Sequence, residues 1–158
     1  MMKKAAVLAE TRGWDFDILS PLQLALAIPS PQWRFYYNAN IYCSIDCSAL
    51  GFVIHKEFEI MGGRELEVNL AVKRLRHCCA PDEIDLLPAP QYLIRYTQDI
   101  DVDINGEVET RLGRAIDKSL AQFDRAWTVL MLVNWGGKST DDAVASANAP
   151  ELRELSEK

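Results

Sequence analysis

The residues in this chain best suited to do chemistry are its carboxylates. Glu57, Glu59, Glu65 and Glu67 flank Gly62-Gly63, with His55 just upstream. If the two arms pair as a hairpin, the four glutamates share its polar face, and carboxylates set opposite one another repel unless a cation sits between them. Mg²⁺ or Mn²⁺ takes such oxygens and polarises phosphoryl groups, which makes this face a candidate centre for a divalent-metal hydrolase or nuclease. The pattern lacks a lysine, histidine or serine at a spacing that names a general base or nucleophile. The simpler reading is a solvated face whose charges keep the hairpin from pairing with other chains.

Two further sets have metal-ligand character. Cys43 and Cys47 lie four apart, and His77, Cys78 and Cys79 are contiguous, so Cys43, Cys47, His77 and Cys78 could surround Zn²⁺ tetrahedrally. Neither half has the two-residue spacer of a zinc knuckle, and neighbouring cysteines on a strand point to opposite faces. Buried thiols acting as small apolar groups explain the same letters. The stretch Asp101-Val102-Asp103-Ile104-Asn105-Gly106 matches the first half of an EF-hand loop, but position twelve is Leu112 where a bidentate glutamate belongs. No nucleophile elbow, phosphate-binding glycine loop or His-Glu-x-x-His pair is present, and His55 and His77 have no carboxylate placed by sequence to orient them.

The elements that must carry these residues follow from periodicity and punctuation. At 158 residues, 49% hydrophobic and 25% charged, the chain reads as one α+β domain over 1–158 with a core of its own. Ser20-Pro21-Leu22-Gln23 has the form of a capping box and predicts a short helix stopped by Pro29 and Pro31. Aromatic and β-branched residues then dominate from Trp33 to Ile54, with turns expected at Asn38-Ala39-Asn40 and Ser44-Ile45-Asp46. The central feature is a hairpin with arms over about 51–61 and 64–75, in a mainly antiparallel sheet. The register of Phe58 and Ile60 against Leu66 and Val68 favours a three-residue loop with a glycine in the left-handed position.

An acidic connector with Pro81, Pro88 and Pro90 is read as irregular, followed by a strand near 91–104 that ends at Asn105-Gly106. Val108, Leu112, Ile116, Leu120, Phe123 and Trp127 recur at helical spacing, predicting an amphipathic helix near 107–127 packed on the sheet. Residues 128–133 fit either buried helix or short strand. Ser139 or Thr140 caps a last helix, giving a helical tail over about 139–158.

The net charge of −6 disfavours unaided binding to phosphate backbones. No window is long and apolar enough for a membrane span or signal peptide, so the expected place is the cytoplasm, or a virion if a virus encodes the chain. Trp14, Trp33, Tyr36, Tyr37 and Trp135 are the candidate interaction residues, since exposed tryptophan and tyrosine mark interfaces. The reading favoured by these features is a non-catalytic protein acting through protein contacts. It would be a homo-oligomeric structural or assembly component, of a virus or phage particle for example, or a small inhibitor or adaptor. The metal-dependent hydrolase is the alternative.

Overall fold

The computed structural model describes residues 1–30, 32–88, 92–101 and 107–147. In chain order the elements are α1 (Met2–Thr11), β1 (Asp15–Ser20), β2 (Gln23–Pro29), β3 (Tyr36–Cys43), β4 (Ala49–Phe58), α2 (Glu65–Cys79), β5 (Glu83–Leu87), β6 (Tyr92–Asp101), α3 (Val108–Asn134) and α4 (Thr140–Ala147). The six strands form one sheet in the order β1-β2-β3-β4-β6-β5, and every neighbouring pair is antiparallel. The mixed α+β class and the helix packed on an antiparallel sheet are as the sequence predicts.

Period-two alternation puts one side of each strand inward. Leu24, Leu26 and Ile28 of β2, Tyr37, Ala39 and Ile41 of β3, Leu50, Phe52 and Ile54 of β4, and Ile94, Tyr96 and Ile100 of β6 are all buried. They form one continuous core with Leu112, Ile116, Phe123, Trp127 and Leu130 of α3. The rings of Phe35 and Phe58 meet Trp127 edge-on at 5.6 and 5.7 Å. Among the described residues, the helices thus cover one face of the sheet and leave the other uncovered. Residues 128–133 continue α3 to Asn134. The helix becomes buried nearly all round there, which is why its polar face disappears from the sequence. No described helix is long and apolar enough to cross a membrane.

The central hairpin is half corrected. Its incoming arm is β4, but 64–75 is not a strand: Glu65–Cys79 is the helix α2. Leu66, Val68, Leu70 and Val72 alternate like a strand, yet Val68, Ala71, Val72, Leu75 and Cys79 are the buried set, at helical spacing, while Leu66 and Leu70 face solvent. Glu65 and Glu67 stand in the first turn and Arg76 and His77 in the last, the arrangement that complements the helix dipole. Gly63 does take the left-handed position, with φ +81°, in a turn closed by Arg64 N–H donating to Met61 O at 3.0 Å. That turn feeds a helix. Gly63→Ala is therefore expected to cost about 1–2 kcal/mol in urea unfolding. Gly62→Ala, outside the left-handed region, is the control and should lose nothing.

Three smaller expectations also change. The segment after Ser20 is strand β2, and the Ser20 hydroxyl accepts from Leu22 N–H at 3.2 Å to form the β1–β2 turn in place of a helix cap. Asn38-Ala39-Asn40 lies mid-strand in β3. The acidic connector contains β5, which pairs with β6. The Ser44–Asp46 turn does form, with Cys47 N–H donating to Ser44 O at 2.9 Å. Ser139 caps α4 by accepting from Asp142 N–H at 3.2 Å, while the tail beyond Ala147 lies outside the described residues.

Candidate interaction face

The uncovered side of the sheet is built from the alternate residues that the core does not use. Tyr36, Asn38, Asn40 and Tyr42 of β3 all point to it, because Tyr37, Ala39, Ile41 and Cys43 point inward. Across the strands the register sets Asp15, Ala27, Asn38, His55, Arg95 and Asp85 in one row, and Asp17, Ala25, Asn40, Val53, Thr97 and Glu83 in the next. The small side chains of Ala25 and Ala27 leave a shallow concavity of about 470 Å³, walled by Asn38, Asn40 and His55 on one side and Asp15 and Asp17 on the other. Tyr36 and Tyr42 stand at the two ends of the β3 row, 57% and 42% exposed. Tyrosine and asparagine suit adaptable contact surfaces, the first giving rigid area and the second hydrogen bonds in either sense.

The electrostatics of this face are one-sided. Asp15 and Asp17 lie on β1, Glu57 on β4, Asp99 and Asp101 on β6, and Glu83 and Asp85 on β5. Arg95 is the one fixed positive charge on the strands of this face, and Asp85 holds it at 3.1 Å while also taking Arg76 at 2.8 Å. Burial pushes the His55 imidazole below its usual range, which favours its uncharged form.

The candidate metal residues are dispersed by the change from hairpin to helix. Glu57 is on β4, Glu59 is in the connector beyond it, and Glu65 and Glu67 are on α2, so no shared glutamate face exists. Cys43 and Cys47 do meet: burial and the neighbouring Cys47 thiol, hydrogen-bonded to it, raise the Cys43 thiol above its ordinary range. His77 and Cys78 lie elsewhere, exposed on the last turn of α2. Among the described residues no three His, Cys, Asp or Glu side chains are grouped to hold a metal ion. Of the EF-hand-like stretch 101–106, Asp101 ends β6 and residues 102–106 lie outside those described. His77 instead lines a second concavity of about 460 Å³ between α2 and the start of α4, where Lys73 and Arg74 face Glu67 and Asp141.

Of the candidate interaction residues, Tyr37 is core, Trp14 and Trp33 are half-buried, and Tyr36 and Trp135 are exposed, the last at 59%. The guanidinium of Arg12 lies over the Trp14 ring at 5.0 Å. Sequence reasoning missed Tyr42, Asn38, Asn40 and the alanine floor. The signal was the alternation itself, hidden because Asn-Ala-Asn reads as a turn.

The sequence matches no protein-family model and no curated protein. Among solved structures, YbjN of E. coli, a "putative transcription regulator", is similar over 80% of this chain and 87% of its own, with a TM-score of 0.54 and 12% identity. At that identity the likeness is one of fold.

Proposed function

We propose that this protein is a non-catalytic binding module that docks a basic polypeptide on the open face of its sheet. The observation carrying this reading is the bare face itself, on which exposed Tyr36 and Tyr42 bracket a shallow, small-residue floor inside a field of carboxylates. Tyrosine supplies contact energy at interfaces. A ring of aspartates steers cationic partners and repels phosphate backbones, which argues against nucleic acid on this face. Of the finer alternatives, the adaptor or inhibitor fits better than the homo-oligomeric assembly component, because two copies meeting through this face would bring like charges together. The metal hydrolase required four glutamates on one face, and their placement on different elements removes that premise.

A photo-cross-linking residue placed at Tyr42 in the source cells tests the reading. It is expected to give a discrete protein adduct, lost when Asp15 and Asp17 are both changed to lysine. The same residue placed at exposed Arg114 of α3 should give none. Equal labelling from both positions, or none from position 42, would refute the open face as the docking surface.

A further inference from the structure

A sheet has two edges, and this one treats them differently. An edge strand presents unpaired N–H and C=O groups that template another strand unless something blocks them. At the β5 edge, Arg76 of α2 donates through Nε to the Ile84 carbonyl at 3.0 Å and through Nη2 to the Asp85 carboxylate at 2.8 Å. One backbone carbonyl of that edge is thus capped by a basic side chain. At the β1 edge, among the described residues, the strand backbone bonds nothing besides β2. Its sequence, Asp15-Phe16-Asp17-Ile18-Leu19-Ser20, contains no lysine, arginine or proline to guard it. Ile18 and Leu19 are 53% and 57% exposed.

We propose that the β1 edge accepts an extended segment of another polypeptide as a seventh strand, and that in this segment apolar residues alternate with lysine or arginine. The alternation follows from the register. Phe16 and Ile18 pair with Leu26 and Leu24 on the helix-covered side, while Asp15 and Asp17 pair with Ala27 and Ala25 on the open side. An added strand therefore sets every second side chain beside Phe16 and Ile18 and the others beside the two aspartates. Main-chain hydrogen bonds give such addition its affinity and alternate side chains its specificity. The register shift between Ile18 and Ser20 ends regular pairing, so the contact is confined to Asp15 through Ile18.

Charge decides against a second copy. Self-pairing centred on Phe16 places Asp15 of each copy opposite Asp17 of the other, self-pairing centred on Asp17 opposes the two Asp17 side chains, and each chain carries a net −6. Like charges directly opposed weaken strand pairing. A basic segment turns the same aspartates into attraction and continues the acidic open face next to it.

This inference rests on the reading that the protein binds another polypeptide, but it is tested separately. The probe is a capped heptapeptide alternating lysine and valine, with its glutamate counterpart as control. Hydrogen exchange of the full-length protein is expected to slow about tenfold in β1 with the lysine peptide and to stay unchanged in β5. The glutamate peptide should protect neither. Asp15→Lys with Asp17→Lys should weaken the lysine peptide by about tenfold or more, and Ile18→Asp, which keeps the backbone, should also weaken it. No protection of β1, protection of β5 instead, or a peptide-independent dimer by light scattering that protects the same amides would overturn the proposal. If position 42 cross-links while β1 exchange is unmoved, the edge proposal alone falls. If β1 is protected while position 42 labels nothing, the open-face reading falls and the edge stands.

Discussion

Tyr37→Phe is expected to destabilise the fold by about 3 kcal/mol near pH 7, and by clearly less in mild acid. Tyr37 is fully buried, and its hydroxyl donates to the carboxylate of Asp124, which is itself 4% exposed. Ser30 donates to the same oxygen at 3.3 Å. The phenylalanine ring keeps the edge-on contact with Phe123, 4.9 Å between centroids, so the substitution removes only the donor. What is left is a buried carboxylate with one weak partner, and an uncompensated buried charge costs far more than a lost exposed hydrogen bond.

The pH dependence follows from the direction of the Asp124 shift. Burial raises its carboxyl above the ordinary aspartate value of 3.8, and the Tyr37 and Ser30 hydroxyls pull it part of the way back. A folded state with the higher pKa binds the proton first, so this group's contribution is fully present below 3.8 and is lost as pH rises through the folded value. That is opposite in sign to a salt-bridged carboxylate. Removing Tyr37 raises the folded value further and widens the window in which acid restores stability. Thermal melts of wild type and Tyr37→Phe, taken from about pH 7 down to about pH 4, should therefore converge. Asp124→Asn, which still accepts from Tyr37 without carrying charge, should melt no lower than wild type near pH 7. A pH-independent loss in Tyr37→Phe would show that the carboxylate is not charged in the fold, and a lower melting temperature in Asp124→Asn would show that its two hydroxyl donors more than offset the burial of its charge.

Asp124 also shows what the sequence conceals. Its position on α3 reads as part of the polar stripe, since nothing local tells an aspartate facing water from one facing a tyrosine on β3, 87 residues away. The helix itself was legible because Leu112, Ile116, Phe123 and Trp127 repeat at its own period over many turns. β6 was legible because its alternation is long. α2 was not, since Leu66, Val68, Leu70 and Val72 satisfy period two and two exposed leucines stand on its solvent side. The end charges of α2 were the better guide. α1 and β1 carried no capping signal, and their order depends on contacts with β2 and α3. The open face was partly legible: Tyr36 was singled out, but the alanine floor and the asparagines gain meaning only once three strands lie side by side.

The connector from β4 to α2 lacks regular structure, and two side chains, Asn134 and Arg64, tie it to the end of α3. Asn134, 3% exposed at the end of α3, accepts from Met61 N–H through Oδ1 at 2.9 Å and donates from Nδ2 to Glu59 O at 2.7 Å. One residue back, the Val133 carbonyl accepts from Arg64 Nε and Nη2 at 3.0 and 2.6 Å, so the same connector caps the helix that braces it. Asn134→Ala removes both bonds and strands a partly buried N–H and C=O, and it is expected to cost about 3 kcal/mol in denaturant unfolding. Asn134→Asp separates the two halves of the role. Near pH 7 its carboxylate can still accept from Met61 but opposes the Glu59 carbonyl, so it should be nearly as unstable as the alanine variant. Protonation returns a donor toward Glu59, which raises the folded pKa of the introduced aspartate above its unfolded value. Its stability should therefore recover as the pH falls through that folded value, while Asn134→Ala gains nothing comparable. If the aspartate and alanine variants respond identically to acid, the bond to Glu59 O contributes nothing and the connector is held by Arg64 alone.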